Sequence, residues 1–272
     1  MSYKLLVISI LFSQYLFSQT SYKRIGLVNP TVKNLKKLDY LISTELIDVD
    51  SVNVIGIFHE SQIEEIDLSQ KFIDSIHLSG YRIEILKGSI SQENIFSNND
   101  YTKQFEAYFK QSDAMLFFGG PDIPPVVYGE KMNLTTSTYP FERVWEISFL
   151  YHMIENDSFN GFLKDRKDYV VLGICLGMQE MNVSNAGTLN QDIPSEIYGL
   201  KDMESVLEMP IDNQHRNYLG KVNAKYIDSA GIVFHKISVD SNSYLNQLIY
   251  QNPDVASIHH QSIHKLGKDF KI

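Results

Sequence analysis

Residues 170–179 read VVLGICLGMQ and contain the only cysteine of the 272-residue chain. The apolar run at the start of this segment predicts a buried β-strand. Gly173 and Gly177, which flank Cys175, predict a tight turn in which the strand and a following helix approach closely. A nucleophile held between two such glycines is the nucleophile-elbow pattern, with cysteine here in place of serine. We therefore expect the sulfur to project into a cleft.

The residues that follow Cys175 predict a helix. Residues 179–183 read QEMNV and can begin one. The backbone amides at the start of that helix would face the sulfur and favour the thiolate over the thiol. The alternative interpretation is a small buried apolar residue, which is the role of most free cysteines.

Apolar runs alternate with amphipathic stretches along much of the chain, which predicts a mostly parallel α/β sheet with helices on both faces. Ligands of such sheets bind at the carboxyl ends of the strands. Both Gly119-Gly120 and Cys175 fall at predicted strand ends. Strands are predicted at residues 25–28, 52–58, 82–86, 114–118, 169–174 and 232–239, and helices at residues 31–47, 67–79, 101–111 and 141–155.

Composition and charge exclude some classes of function. The chain is 43% hydrophobic, which is enough for a full core, and its formal net charge is −9 at pH 7. A nucleic-acid partner is not expected, because no basic patch is present to neutralise phosphates.

The N-terminus resembles an export signal. Lys4 precedes the apolar run of residues 5–12, and small polar residues follow it. The run is too short for a comfortable membrane-spanning helix. We expect residues 1–18 to be a signal peptide, residues 23–272 to form the domain, and the protein to be periplasmic or secreted. The alternatives are a first core strand and an uncleaved membrane anchor.

Three motifs occur in a fixed order: FGGPDIPP at residues 118–125, GICLGMQ at residues 173–179 with family-like residues onward to Ile193, and SIHHQSI at residues 257–263. In this order they resemble the class I glutamine amidotransferase superfamily. They are most similar to its gamma-glutamyl-gamma-aminobutyrate hydrolase branch, which is cysteine-peptidase-like. The resemblance runs from Gly119 to Leu266 and implies a flavodoxin-like sheet that lacks the last strands and helix of the family.

The expected chemistry centres on Cys175. Its sulfur would attack a gamma-glutamyl carbonyl to give a thioester. Negative charge that develops on the carbonyl oxygen requires fixed hydrogen-bond donors. The backbone amides near Gly120 and of Leu176 are the expected pair, because the glycines let the chain come close.

The resemblance adds three candidate substrate-binding residues. A glutamine at the position of Gln179 contacts the glutamyl group in the family. His260 and Gln261 match a family segment that lines the amino-acid end of the substrate. The implied partner is a small gamma-glutamyl compound.

No cofactor and no metal ion are expected. His260 and His264 have the i, i+4 spacing of a helical metal site, but no acidic residue or second cysteine lies nearby to complete one. His215 and His235 match a His-Arg pair and a strand histidine of the branch, and we interpret both as structural hydrogen-bond partners. No stable membrane insertion is expected after signal cleavage, and the sequence does not define the oligomeric state.

One family feature is missing. The catalytic histidine and glutamate of the family lie in a Gly-x-Gln-x-His-Pro-Glu segment downstream of His-His-Gln, and no His-Pro-Glu occurs in this sequence. Three interpretations are considered: a fragment of a longer active hydrolase, a truncated or degenerate protein that keeps the pocket without turnover, and a site in which His259 or His260 is the base.

Three alternative functions follow from the same motifs. One is an amidotransferase that passes ammonia to a synthase. Another is an unrelated α/β-hydrolase with cysteine at its elbow. The third is a non-catalytic module that binds gamma-glutamyl compounds.

Overall fold

The computed structural model describes residues 22–45, 47, 51–76, 80–154, 160–218, 232–242, 246 and 253–272. The expected signal peptide at residues 1–18 lies outside these ranges. Within them, no helix combines the length and the apolar character that crossing a membrane requires.

Five parallel strands form the central sheet, in the spatial order β3-β2-β1-β4-β5. This confirms the predicted α/β, flavodoxin-like architecture. The register pairs Val28 with Ile57 and with Phe117, and Phe117 with Gly173. The carboxyl ends of four strands therefore share one edge, where the elbow lies. The strands are β1 (Tyr22–Val28), β2 (Ser51–His59), β3 (Tyr81–Leu86), β4 (Ala114–Phe117) and β5 (Val170–Gly173).

Helices connect the strands close to where the sequence predicts them. The first begins after Thr31, whose side chain accepts a hydrogen bond from the Asn34 amide at 3.3 Å. The predicted helix at residues 141–155 begins as a 3₁₀ turn and becomes α-helical at Trp145. The helices are α1 (Val32–Ser43), α2 (Ile63–Ser75), α3 (Thr102–Gln111), α4 (Trp145–Met153), α5 (Leu176–Ser184) and α6 (Met203–Glu208).

Both faces of the sheet bury apolar side chains. On one face α3 and α4 pack through aromatic rings, and Phe105 stacks on Phe149 with 4.5 Å between centroids. On the other face Leu35 and Leu38 of α1 pack under the sheet. A third cluster, which includes Leu176, lies behind the elbow. The strand ends that carry the site are therefore fixed by a packed apolar core.

The C-terminal part forms two small antiparallel pairs, β6 with β9 and β7 with β8. The predicted strand at residues 232–239 is present but shorter. Asn182 on α5 ties β9 to the domain: its side chain donates to the Lys265 carbonyl at 3.1 Å and accepts from the Gly267 amide at 2.7 Å. The strands are β6 (Thr188–Asn190), β7 (Val233–Lys236), β8 (Asp254–Ser257) and β9 (Ser262–Lys265).

Candidate active site

Cys175 occupies a strained turn between β5 and α5. Its backbone has φ 58° and ψ −110°, a conformation that residues other than glycine rarely adopt. The turn is fixed on both sides: the Ile174 amide donates to the Phe117 carbonyl at 2.9 Å, and the Gln179 amide donates to the Cys175 carbonyl at 3.2 Å. The residue is exposed to solvent. The strained turn thus leaves Cys175 accessible to solvent.

The two glycines of the elbow are sterically required, as predicted. A Cβ on Gly173 would lie 2.6 Å from the Gly177 carbonyl carbon. A Cβ on Gly177 would collide with the Phe117 backbone. Strand β5, helix α5 and strand β4 therefore approach more closely than any side chain would allow.

The loop after β4 lies directly against the cysteine. A Cβ on Gly119 would be 3.2 Å from the Cys175 Cβ and 3.5 Å from its Sγ. A Cβ on Gly120 would be 2.8 Å from a Leu176 methyl carbon. The structure thus brings together the segments of the two expected oxyanion donors, Gly120 and Leu176.

The thiol is not activated in the way that the sequence indicates. Desolvation by the surrounding protein raises the pKa of Cys175, and the negative charge of Asp122 adds to this. The Leu176 amide, which hydrogen-bonds to the sulfur, and Lys37 lower it, but by less. The helix amide thus favours the thiolate, as expected, but partial burial outweighs it and the pKa of Cys175 is raised.

His260 lies between two carboxylates. Its Nε2 is 3.2 Å from both oxygens of Asp122, and its Nδ1 is 3.2 Å from Asp192 Oδ1. The three side chains are only 8–13% exposed. Burial alone would lower the pKa of His260, but hydrogen bonds to Asp122 and Asp192 raise it above its ordinary value.

This arrangement joins the three sequence motifs into one site, since Asp122 follows Gly-Gly and Asp192 follows α5 and β6 along the chain. It also argues against His260 as the base, because each ring nitrogen is already hydrogen-bonded to a carboxylate. Asp122 and Asp192 stand within the quoted motifs, yet sequence reasoning assigned them no role. Asp122 and Asp192 are 70 residues apart in the sequence, so the sequence did not indicate that both contact the His260 imidazole.

Gln179 and Gln261, two predicted substrate-binding residues, are both buried. Gln261 is 2% exposed, and its side-chain amide makes no hydrogen bond within the described part of the chain. A buried amide without a partner is costly, so this group is suited to a ligand or an ordered water. His259 lies beside Gln261 and donates to its carbonyl oxygen, so it is oriented by the backbone.

A buried charged group that the sequence did not reveal supports the Gly-Gly loop. Arg143 Nε pairs with Glu146 at 2.8 Å, and the guanidinium lies behind Gly120, 3.8 Å from where a Cβ would stand. Glu180 is completely buried nearby, and burial, followed by the charge of Glu146, raises its pKa well above the ordinary value. Burial thus disfavours the charged form of Glu180, while the Arg143 charge favours it.

Comparison with known proteins identifies the family. Residues 53–272 match the Peptidase C26 family. The chain belongs to this family. The match begins well before Gly119, where the motifs first carried the resemblance, so the family includes the strand-helix region in which the sequence showed only a pattern.

Two bacterial relatives are described as glutamine amidotransferase-like proteins. A glutamine amidotransferase-like protein of Lactococcus lactis is 26% identical over 200 residues, covering 73% of this chain and 66% of its own length. A Rickettsia prowazekii protein of the same description is 32% identical over 124 residues, covering 39% of this chain and 44% of its own length. The chain thus spans less than two thirds of either relative, and it belongs to the class I glutamine amidotransferase-like superfamily.

Proposed function

We propose that this Peptidase C26 protein cleaves gamma-glutamyl amide bonds, with Cys175 as the nucleophile. The observation that carries the proposal is the position of Cys175, solvent-accessible on a strained turn with its sulfur against the Gly119-Gly120 loop. No other cysteine is present in the chain.

The proposed reaction has two steps, acylation of Cys175 and hydrolysis of the resulting thioester. The Cys175 thiol gives up its proton, its sulfur adds to the gamma-carbonyl carbon, and the carbonyl electron pair moves to the oxygen, to which the Gly120 and Leu176 amides would donate hydrogen bonds. The carbonyl then re-forms as the carbon–nitrogen bond breaks, and the leaving amine takes up a proton that balances the one the thiol gave up. Water attacks the thioester, which releases glutamate and restores the thiol.

Buried amides support recognition of the glutamyl group. The unpartnered side chain of Gln261 can donate one hydrogen bond and accept another. Gln179 lies in the first turn of α5, beyond Cys175. In our proposal His260 lies near the amino-acid end of the substrate. Its contacts with Asp122 and Asp192 connect the loops that carry these two residues.

Covalent trapping tests the proposal. A gamma-glutamyl chloromethyl ketone should add one equivalent to the wild-type chain, and peptide mapping should place it on Cys175. Cys175→Ser should take up none. The matched reagent without its alpha-amino group should react at least about tenfold more slowly, since a specific polar contact contributes about 1.4 kcal/mol or more. Equal rates for the two reagents, or labelling elsewhere, would contradict the proposal.

A second candidate, a module that binds gamma-glutamyl compounds without turnover, is favoured by two observations. The pKa of Cys175 is raised, and both nitrogens of His260 are engaged by carboxylates. Calorimetric binding of a gamma-glutamyl amide that releases no glutamate, together with slow trapping at Cys175, would support this candidate instead.

A further inference from the structure

Three histidines from separate segments converge away from the cysteine. His215 follows a short turn at Ile211–Asn213, His235 lies on β7, and His259 comes two residues after β8. One ring nitrogen of each lies within 4.8 Å of the other two. The His215 ring centroid is 5.0 Å from that of His235 and 5.1 Å from that of His259. We call this group the histidine cluster.

The backbone holds the histidine cluster in place. The His215 carbonyl accepts a hydrogen bond from the His259 amide at 3.0 Å and one from the Ser257 hydroxyl at 2.7 Å. The β7–β8 pairing sets His235 opposite Val255. Each ring is therefore carried by a segment that is hydrogen-bonded to the next, so the approach of the three rings is built into the fold.

Nitrogen lone pairs remain available on the three rings. His235 Nδ1 lies 3.4 Å from the Lys236 carbonyl oxygen, so in the neutral ring its Nε2 can keep a lone pair. His259 Nδ1 lies 2.8 Å from the Gln261 carbonyl oxygen, which can only accept. Nδ1 therefore carries the proton, and in the neutral ring Nε2 keeps a lone pair. A backbone carbonyl behind an imidazole is the usual orienting partner of a metal-bound histidine. His215 Nδ1 is buried and has no hydrogen-bond partner among the described residues, so it too requires an occupant.

We propose that His215, His235 and His259 bind one divalent transition-metal ion of the zinc type. Neutral imidazoles are ligands that zinc prefers, and three of them with one open position form a known coordination pattern. Zinc–nitrogen bonds of about 2.0–2.1 Å place ligand nitrogens roughly 3.4 Å apart in a tetrahedron. The three nitrogens lie within 4.8 Å of one another, so metal binding would draw each pair closer by about 1.4 Å at most. This site departs from the sequence expectation of no metal.

The proposed site has a structural consequence. His259 directly precedes His260, which contacts Asp122 of the Gly-Gly loop. A metal ion on the histidine cluster would therefore restrain the segment that carries His260 and Gln261. The role is one of positioning, since the histidine cluster has no described contact with Cys175.

Zinc binding by the full chain tests the inference. The protein would carry Cys175→Ser, so that the thiol cannot bind the metal, and the outcome would then be independent of the proposed hydrolysis. Zinc would be titrated against a chromophoric chelator, and bound metal would be counted by mass spectrometry of the desalted protein. His215→Gln, His235→Gln and His259→Gln are the test variants. His264→Gln, an exposed position on β9, is the matched control.

The parent and His264→Gln should bind one zinc per chain, and each test variant should lose at least about tenfold in affinity. Zinc should raise the unfolding temperature of the parent and of His264→Gln only. Should a variant fail to fold, cobalt(II) added to the parent would still decide: strong ligand-field absorption supports a tetrahedral site. Absence of stoichiometric zinc, full affinity in the test variants, or equal loss in His264→Gln would overturn the inference.

Discussion

At the scale of single residues, the reactivity of Cys175 is set by competing local effects. Desolvation raises the pKa of its thiol, while the Leu176 amide and Lys37 lower it. A group exposed on a strained turn can therefore be accessible and yet poorly ionised. Substrate binding that brings a positive charge near the sulfur would change this balance.

Alkylation of Cys175 should show this raised pKa. The rate of iodoacetamide modification rises as thiolate forms, so its midpoint should lie at a higher pH than for the same chain unfolded in urea. Rates measured by mass spectrometry over a pH series test this. A midpoint below that of the unfolded chain would show that the helix amides dominate after all.

Replacing Lys37 should move the same midpoint further. Lys37 lies over the Phe118 ring, and its charge lowers the Cys175 pKa, so Lys37→Met should raise the alkylation midpoint. Lys36→Met is the matched control, because Lys36 lies over Phe72 and is not among the charges that act on the thiol. Equal shifts in the two variants would assign the effect to overall charge.

At the scale of elements, the elbow depends on the packing of α5 against β4. Gly177→Ala should destabilise the fold by about 1–3 kcal/mol, because the added methyl meets the Phe117 backbone. Met178→Ala, at an exposed position of the same helix, should change the unfolding free energy by less than about 0.5 kcal/mol. Urea unfolding compares the two, and equal effects would contradict the packing argument.

The sequence predicted the elements that carry strong periodic signals and missed those that depend on distant partners. All five central strands were predicted, because each contains a continuous or alternating run of apolar residues. Strands β8 and β9 were missed, since Asp254–Ser257 and Ser262–Lys265 are short, largely polar and paired over long range. The contacts of His260 could not be predicted for the same reason, because its partners Asp122 and Asp192 belong to two other motifs.

The histidine cluster shows this limit most clearly. The spacing of His260 and His264 suits a metal site on a helix, but His264 lies on a strand. His215, His235 and His259 are far apart along the chain and meet only through the fold. Local spacing could not identify them as neighbours.

At the scale of the whole molecule, an ion pair joins strand β1 to the start of strand β4, at the end of the sheet opposite the elbow. Asp113 accepts hydrogen bonds from the Arg24 side chain at 2.7 and 3.2 Å. Burial would raise the pKa of Asp113, but Arg24 lowers it below the ordinary value. A lowered folded-state pKa stabilises the protein above the unfolded value near 3.9, and that contribution disappears as the pH falls through the folded value.

Asp113→Asn should therefore lower stability at neutral pH by about 1 kcal/mol or less, since both partners are partly exposed. The difference in unfolding free energy between wild type and Asp113→Asn should become smaller below about pH 4. Urea unfolding of both proteins at several pH values measures it. If this difference in unfolding free energy does not change with pH, the destabilisation comes from packing and not from the ion pair.

Export is also a property of the whole chain, and we propose that residues 1–18 direct it. Expressed in a bacterial host with a periplasm, the chain should be recovered outside the cytoplasm with a new N-terminus near Gln19. N-terminal sequencing of the fractions tests this. A cytoplasmic chain that still begins at Met1 would contradict it.

The central claim is that Cys175 forms a gamma-glutamyl thioester. Hydroxylamine intercepts such an intermediate, so incubation with a gamma-glutamyl anilide and hydroxylamine should yield gamma-glutamyl hydroxamate, detected by mass spectrometry. We predict its formation by the wild-type chain and none by Cys175→Ser. Equal hydroxamate from both proteins, or none from either, would contradict the claim.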